Sequence, residues 1–253
     1  MEVSVRLLTN KVAVVTGASK GIGAGIALAF GAAGAAVVVN YASDEEGAAR
    51  AVAKITHGGG RAIAVQADVS KSGDVERLFE RTRETFGRLD VLVNNAGVFK
   101  IFPFEQMTEA EFHRIFNINV LGLMLVTKEA LGHFGPEGGS VINIGAAVTE
   151  LLLPNAAIYG ASKGAVDVLT GILSKELARR KIRVNSINPG AVETEGWLTL
   201  GVKGTPLGDE LLAQTPLGRV GQPDDIAKVA VFLASSDSGW LTGEVMLASG
   251  GQR

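Results

Sequence analysis

Tyr159 and Lys163 are the strongest candidates for catalytic groups in this sequence. They stand four positions apart in a small, neutral stretch, residues 157–164 (AIYGASKG), so on a helix both side chains share one face. A tyrosine hydroxyl, with a usual pKa of about 10, is a weak acid at neutral pH, but a neighbouring ammonium stabilises the phenolate and lowers that pKa. Such a pair can donate a proton to a carbonyl oxygen or take one from an alcohol. An inert surface pair is the other interpretation of this spacing.

A glycine-rich turn, residues 16–23 (TGASKGIG), is the second chemical feature. It follows a β-branched run and opens a helical pattern. Its glycines permit a tight turn and close backbone approach, while the helix N-terminus offers free N–H groups and a positive dipole end to a pyrophosphate. A turn that only packs a helix on a strand is the alternative. The strand before it and the helix after it favour dinucleotide binding.

Apolar runs and helical patterns alternate along the chain and must position these groups. Strands are predicted at residues 12–15, 36–40, 62–66, 89–93, 140–144, 183–187 and 244–248. Helices are predicted at residues 21–33, 44–56, 72–86, 108–133, 155–179, 209–214 and 223–234. This alternation predicts an α/β fold with one doubly wound parallel sheet and helices on both faces. Ligands then bind at the carboxyl ends of the strands.

Composition narrows the class of protein. The 253 residues, with 47% hydrophobic content and a formal charge of -2, suit one well-filled α/β domain. The chain has no excess of charge that would indicate nucleic acid or an anionic membrane as a partner. The chain has no cysteine and three scattered histidines, so we expect no disulfide and no metal site.

Two segments bear on targeting. Residues 1–8 lack the long apolar core of a signal peptide, which makes a cytoplasmic protein the expectation. Residues 21–39 carry no charge and are long enough to cross a bilayer. Five glycines divide that run into a helix, a turn and a strand, so we expect it to be buried in the protein rather than in a membrane.

Together the motifs resemble the short-chain dehydrogenase/reductase family. They occur in its order: Thr-Gly-x-x-x-Gly-x-Gly at residues 16–23, Asn94-Asn95-Ala96-Gly97, Asn119, Tyr159-x-x-x-Lys163 and Pro189-Gly190. The match runs from about residue 11 to the end of the chain. Within the family, the chain is most similar to 3-oxoacyl-carrier-protein reductases, glucose dehydrogenases, naphthol reductases and other carbonyl reductases. The resemblance implies one Rossmann-type catalytic domain over residues 1–253, a substrate loop at about residues 191–222, and often a tetramer.

The resemblance also implies roles for three catalytic residues. Tyr159 would donate the proton in ketone reduction. Lys163 would lower the pKa of Tyr159 and bind the nicotinamide ribose hydroxyls. Asn119 would anchor a water that links Lys163 to solvent, although a satisfied bond from its side chain to the backbone is the alternative for a polar residue inside a helix.

A larger set of residues is implied to bind the cofactor. Asp68 and Val69 would hold the adenine, residues 95–97 would line the adenosine ribose, and Val192 and Thr194 would fix the carboxamide; simple strand-end turns are the alternative. The full set is Gly17, Ser19, Lys20, Gly21, Ile22, Gly23, Asn40, Tyr41, Ala42, Ser43, Asp68, Val69, Asn95, Ala96, Gly97, Tyr159, Lys163, Pro189, Gly190, Val192 and Thr194.

The end of the second predicted strand favours NADP(H) over NAD(H). NAD-preferring members carry an acidic residue there, and its carboxylate would repel a 2′-phosphate. This chain has Asn40. Lys20 adds a cation in the glycine turn, so Lys20, Asn40 and Ser43 are expected near the phosphate. A solvated Lys20 whose charge Asp44 and Glu45 offset is the alternative.

Ala146 departs from the family pattern. The family places a serine thirteen residues before the tyrosine, where its hydroxyl binds the substrate oxygen, and here that position is alanine. Thr149 is the nearest hydroxyl but lies three residues further on. Two explanations stay open at this point: a variant made to disable or redirect the site, and a natural relative with weakened or different chemistry.

The sequence therefore predicts an NADPH-dependent carbonyl reductase or secondary-alcohol dehydrogenase, impaired or redirected by Ala146. An NADP(H)-binding pseudoenzyme or cofactor sensor is the alternative. An apolar substrate wall favours hydrophobic ketones and is predicted to contain Phe99, Leu151, Leu152, Leu153, Ile158, Trp197 and Leu200. A homotetramer is expected to form through residues 108–133 and 155–179, with a second contact near the C-terminus.

Overall fold

Seven parallel strands form one sheet in the part of the chain that the computed structural model describes, residues 6–195 and 205–253. The strand order is β3-β2-β1-β4-β5-β6-β7. The strands are β1 (Val12–Val15), β2 (Ala36–Tyr41), β3 (Arg61–Gln66), β4 (Val91–Asn94), β5 (Gly139–Ile144), β6 (Ile182–Pro189) and β7 (Val245–Ala248). The chain winds outward from β1 to β3 and then returns beside β1 as β4, so the winding direction reverses between β1 and β4. A crevice at the carboxyl edge of a sheet is the usual ligand site of such folds.

Helices cover both faces of this sheet, which confirms the predicted doubly wound α/β fold. They are α1 (Gly21–Ala32), α2 (Glu45–His57), α3 (Ser72–Phe86), α4 (Glu109–Phe116), α5 (Leu123–Ala130), α6 (Val148–Leu151), α7 (Ala157–Leu177), α8 (Pro206–Ala213) and α9 (Pro223–Ala234). None of the helices described combines the length and the apolar content that a bilayer crossing requires.

The strands divide the core into two layers because successive side chains point to opposite faces. Ala13 and Val15 of β1 pack with α1, α2 and α9, whereas Val14 packs in the layer that includes α3, α5 and α7. All four residues of β1 are buried. A strand covered on both faces is apolar throughout, which is why the predicted strands read as continuous apolar runs.

The predicted ends of the strands are within two residues of the observed ends, and the helix predicted at residues 108–133 is observed as one helical run that contains a π-helical turn. It is divided into α4, a π-helical segment (Asn117–Gly122) and α5. The widening coincides with Asn119, whose amide bonds to the backbone of Val98, and with Gly122, which packs against Val69. These contacts are made by other parts of the chain, so helical periodicity does not reveal them. A single-turn π-helix of this kind is frequent at functional sites.

A buried polar network links the centre of the sheet to the helices. Asn94 Nδ2 on β4 donates to Asn143 Oδ1 on β5 and to Thr127 Oγ1, each at 2.9 Å. Asn143 Nδ2 donates in turn to Thr170 Oγ1 at 2.9 Å. Both asparagines are buried. A buried polar group left without a partner is costly, so this network holds β4, β5 and α7 in one arrangement.

Asn143→Ala is expected to lower the free energy of unfolding by about 1–3 kcal/mol, because it leaves buried polar groups of the network without a partner. Urea denaturation followed by circular dichroism measures the change. The control is Asn117→Ala, since the Asn117 side chain is exposed and makes no hydrogen bond within residues 6–195 and 205–253. Equal midpoints for the two variants would contradict the role of the network.

Candidate active site

The glycine turn between β1 and α1 lies against the end of β4. Gly17 has a φ of +60°, and a Cβ at this position would lie 2.9 Å from Ala96 Cα. A Cβ at Gly23 would lie 2.4 Å from Asn95 Nδ2 and 2.6 Å from the Gly17 carbonyl oxygen. Side chains are therefore excluded at both positions. The turn thus packs tightly against β4, and its backbone leads into the start of α1 beside an open groove, an arrangement called the cradle below that suits a pyrophosphate.

Thr16 and Asn95 tie the two strand ends together. Thr16 Oγ1 donates to the Val93 carbonyl at 3.2 Å and accepts from the N–H groups of Asn95 and Ala96, each at 3.0 Å. Asn95 Nδ2 donates to the carbonyls of Thr16 (2.8 Å) and Gly17 (3.0 Å). The glycine motif includes Thr16 but does not reveal this role. These hydrogen bonds form only because the fold makes β1 and β4 neighbours in the sheet.

Asn40 braces the same turn from the β2 side. Its Oδ1 accepts from Gly17 N–H at 3.1 Å, and its Nδ2 donates to the carbonyls of Val65 (3.2 Å) and Ala67 (3.0 Å). The side chain is buried. The amide is therefore engaged by the backbone and holds the turn, and the predicted place of Asn40 near the 2′-phosphate stays a prediction.

A groove of about 370 Å³ runs along the carboxyl edge from the glycine turn. It is lined by Gly17, Ser19, Lys20, Gly21, Ile22, Gly23, Asn40, Ala42, Ser43, Asp44, Ala67, Asp68, Val69, Asn95, Ala96, Gly97, Val98, Ile118, Thr194 and Glu195. The cofactor residues predicted around it largely coincide with this lining. Tyr41 does not line the groove and instead packs against the apolar layer under α1 and α2, because alternate residues of β2 face opposite sides of the sheet.

Charges of both signs surround the outer end of the groove. Lys20 is exposed there. An adjoining groove of about 400 Å³ shares Ser19 and Lys20 with the first and extends along α2 to Arg50 and Lys54. Asp44 caps α2 by accepting from Gly47 N–H at 2.9 Å, and this bond is the largest influence lowering the pKa of Asp44. The Asp44 carboxylate is therefore ionised at neutral pH and offsets part of the positive charge.

Tyr159 and Lys163 lie one turn apart on α7. The Tyr159 hydroxyl has no hydrogen-bonding partner among the described residues, and the Phe99 ring packs at 5.8 Å between ring centroids. Burial raises the pKa of Tyr159 to about 12. Lys163 is buried and donates from Nζ to the Ile144 carbonyl at 2.7 Å. Burial lowers the pKa of Lys163 to about 8, and the charge of Asp167 opposes that change.

The lowering of the Tyr159 pKa by Lys163 stays a prediction, because the net shift of this pKa in the protein alone is upward and burial is its cause. The Lys163 ammonium lies 6.0 Å from the Tyr159 ring centroid and is directed to a backbone carbonyl. Removal of the phenol from water penalises the charged phenolate, and this cost decides the direction of the shift.

Asn119 and Ser162 form a second support beneath the pair. Asn119 Oδ1 accepts from Val98 N–H at 2.8 Å, and Nδ2 donates to the Val98 carbonyl at 2.9 Å and to Ser162 Oγ at 3.0 Å. Ser162 Oγ donates to the Tyr159 carbonyl at 2.7 Å. The side-chain bonds of Asn119 thus match the alternative interpretation, and the water role stays a prediction. The sequence analysis did not assign a role to Ser162. Its position between Tyr159 and Lys163 is the signal that could have indicated this support role.

Ala146 lies in an apolar cluster with Val148, Ala156, Leu153 and Tyr159. The nearby hydroxyl of Thr149 does not replace the family serine. Thr149 Oγ1 donates to the Ala146 carbonyl at 3.2 Å and accepts from Asn188 Nδ2 at 3.4 Å. These bonds direct the hydroxyl at the protein.

The predicted substrate wall is only partly brought together. Phe99 and Leu153 contact Tyr159 or its cluster, and Ile158 is buried on α7. Leu151 is half-buried, whereas Leu152 is 78% exposed because it adopts a left-handed conformation after α6 and faces solvent. Trp197 and Leu200 lie outside the described residues.

The remaining site predictions fall near the loop that follows β6. Pro189 accepts at its carbonyl from Ala147 N–H, Gly190 packs against Ser249, and Val192 is buried. Thr194 borders the groove. Within residues 6–195 and 205–253, no cluster of His, Asp and Glu is arranged to hold a metal ion.

Comparisons with known proteins agree with this arrangement. A family model described as enoyl-(acyl carrier protein) reductase matches residues 17–253. An uncharacterized oxidoreductase of Methylorubrum extorquens is 57% identical over 97% of this chain and 99% of its own length. The hydroxynaphthalene reductase-like protein Arp2 of Metarhizium robertsii is 41% identical, covering 97% of this chain and 96% of that one. The crystal structure of the angucycline C-6 ketoreductase LanV with bound NADP is 38% identical, with a TM-score of 0.91 over 97% of this chain and 96% of LanV. The chain belongs to the short-chain dehydrogenase/reductase family.

Gly23→Ala is expected to abolish binding of a dinucleotide, because the new Cβ would lie 2.4 Å from Asn95 Nδ2 and disturb the clamp around the glycine turn. The measurement is quenching of tryptophan fluorescence, or calorimetry, during titration with NADPH. Gly164→Ala is the matched control on α7, since a Cβ there meets nothing within 4 Å. Unchanged NADPH affinity in the Gly23 variant would contradict the assignment of the cradle.

Proposed function

We propose that this chain is a single-domain, NADP(H)-dependent carbonyl reductase that reduces hydrophobic ketones, with Tyr159 as the proton donor. One observation carries the proposal: the Tyr159 hydroxyl, without a partner among the described residues, stands in apolar surroundings one helical turn from a buried lysine. The site lies at the same carboxyl edge as the glycine cradle. The reductases named above, and the versicolorin reductase of Emericella nidulans at 39% identity, support this reaction class.

The residues present fit NADP(H). The glycine turn borders a groove of about 370 Å³, and the N–H groups at the start of α1 would bind the pyrophosphate there. Asp68 and Val69 border the groove where an adenine would bind. Lys20 and Ser43 would face the 2′-phosphate of NADP(H). The site would favour NADP(H) over NAD(H), because Asn40 brings no negative charge that would repel this phosphate. When bound, NADPH supplies the hydride.

The protein's own contribution is to hold and move one proton. With its pKa raised to about 12, Tyr159 keeps its proton at neutral pH and can donate it to the carbonyl oxygen. The donation leaves a phenolate, which the Lys163 ammonium stabilises electrostatically. Lys163 would also bind the nicotinamide ribose hydroxyls. Its pKa of about 8 makes the ammonium the main form below that pH.

The substrate class follows from the surroundings of Tyr159. Val148, Leu153 and Ala156 are apolar neighbours, and Phe99 covers the ring. Such walls favour flat, hydrophobic ketones over phosphorylated or carboxylated ones. Two relatives are named for a hydroxynaphthalene and for versicolorin, and LanV is named an angucycline C-6 ketoreductase, which supports an aryl ketone.

A different function, an NADP(H)-binding sensor without turnover, is favoured by one observation. Ala146 removes the hydroxyl that the family uses at the substrate oxygen, and Thr149 is committed to other bonds. The intact Tyr159, Lys163 and Asn119 favour the enzyme.

The purified protein is expected to oxidise NADPH when it is given a panel of activated aryl ketones. The loss of NADPH absorbance measures this reaction. Tyr159→Phe should lower kcat/KM by about 10²–10⁴-fold, since it removes the general acid. Its affinity for NADPH should persist, and NADH should bind more weakly than NADPH. Tight NADPH binding without oxidation of any ketone would decide for the sensor.

Ala146→Ser is expected to raise ketone turnover by about a hundredfold to a thousandfold, because a fixed donor stabilises the charge that builds on the substrate oxygen. NADPH affinity should change little. Ala147→Ser, which adds the same hydroxyl one residue away, is the control. Assays on a ketone and a matched cyclic imine distinguish the alternatives: a serine variant with unchanged ketone turnover would mean that the pocket serves another electrophile.

Exposed apolar side chains support assembly into a homotetramer. They lie on the π-helical segment, on α5 and on α7: Leu121 (43% exposed), Met124 (47%), Val168 (62%) and Ile172 (47%). A surface of this kind is typical of a subunit contact.

Light scattering at micromolar concentration should therefore give a tetramer, and Val168→Glu should reduce the mass to a smaller species by placing a charge in the contact. Ala49→Glu, an exposed position on α2, should keep the parent's mass. A monomeric parent would rule out the assembly.

A further inference from the structure

Asp167 is a carboxylate on the face of α7 that carries Tyr159 and Lys163, one turn beyond the lysine. It is half-buried. Its Oδ1 and Oδ2 accept from Asn188 Nδ2 at 3.0 Å and 3.2 Å. A carboxylate in a partly buried position needs such donors, since its charge is costly without them. None of the catalytic roles described above uses this residue.

Asn188 connects Asp167 to the turn that carries Ala146. It is buried at the end of β6, where its Oδ1 accepts from Ser186 Oγ at 2.7 Å. A Cβ at Gly145 would lie only 1.9 Å from that Oδ1, so the turn after β5 rests directly on the amide. The backbone of this turn is bonded to β6 on both sides of Ala146.

Thr149 closes the cluster above Asn188. Its hydroxyl is within 3.4 Å of Asn188 Nδ2 and donates to the Ala146 carbonyl at 3.2 Å. The same hydroxyl interacts with the Asp167 carboxylate. The turn that faces the substrate is therefore held from behind by a polar cluster of Thr149, Asp167 and Asn188.

The charges around this cluster are few. In the part of the chain that the structure describes, Asp167 is the charged group that influences Lys163, whereas Lys163 and Glu150 on α6 influence Asp167. The side chains that β6 and the π-helical segment direct at the cluster or at α7, Ser186, Asn188 and Asn119, are neutral. Burial raises the pKa of Asp167, while the bonds from Asn188 and Thr149 and the charge of Lys163 lower it. In the opposite direction, the Asp167 charge raises the pKa of Lys163.

We propose that Asp167 is a positioning residue of the active site. Through Asn188 and Thr149 it fixes the turn that carries Ala146, and as a negative charge one helical turn away it keeps Lys163 in its ammonium form. The consequence for catalysis rests on the proposed reductase function. The electrostatic link to Lys163 does not, and it can be measured without substrate or cofactor.

The direct test is the protonation of Lys163 in the full-length protein. Competitive labelling with isotopic acetic anhydride over a range of pH, read by mass spectrometry of the peptide containing Lys163, gives the pKa from the unprotonated fraction. Asp167→Asn keeps the shape but removes the charge, so Lys163 should lose its proton at a pH lower by about one unit. Asp167→Glu, which retains the negative charge, should keep the pKa of Lys163 close to its value in the parent protein. Glu150→Gln, which removes an exposed neighbouring charge, is the matched control and should give no shift.

The second readout is the pH profile of kcat/KM for ketone reduction. In Asp167→Asn the alkaline limb of this profile should move to lower pH by the same amount as the pKa of Lys163. A role confined to holding the turn would lower the rate without moving the limb. An unchanged pKa of Lys163 in Asp167→Asn overturns the inference, as does an equal shift in Glu150→Gln. Absence of ketone reduction by the parent would defeat the proposed function instead, and the labelling would still decide for or against the link.

Discussion

The carboxyl ends of β1 and β4 approach each other closely, and this contact sets the positions of the groups around it. The gap between Gly17 and Ala96 leaves no room for a side chain. Thr16 and Asn95 close it with hydrogen bonds to backbone, and Asn40 braces it from β2. Because the three strand ends are locked in this way, the backbone at the start of α1, which lines the groove, has little freedom to reorganise, and this rigidity suits anion binding.

The second requirement is to keep a lysine charge where water is excluded. Burial of an ammonium is costly, and the structure offsets that cost with the Ile144 carbonyl and the nearby Asp167. Both partners are placed by long-range packing: Ile144 ends β5, and Asp167 is held by Asn188 of β6. The polar groups behind Ala146 are thus part of one arrangement with Lys163, although the alanine itself sits in an apolar cluster.

The π-helical segment shows how the site shapes the fold around it. Asn119 gives its amide to Val98 and Ser162, so it ties the loop after β4 to α7. A regular α-helix places the same side chain at a different angle, because one extra residue per turn rotates everything that precedes it. The irregularity therefore lies beside Tyr159 and Lys163 and brings three segments of the chain together there.

Local sequence patterns are enough to predict the layers of the fold and the place of the candidate catalytic residues. Apolar strand runs and helical periodicity predicted β1 to β7 within two residues, and the glycine turn, Tyr159 and Lys163 were found because their spacing is local. Long-range packing sets the hydrogen-bond partners of Asn40, Asn119 and Thr149, the exposure of Leu152 and the direction of the Tyr159 pKa shift. The physical reason is that periodicity and motif spacing record neighbours along one element. Hydrogen-bond partners and burial depend instead on residues that the sheet brings together from distant parts of the chain.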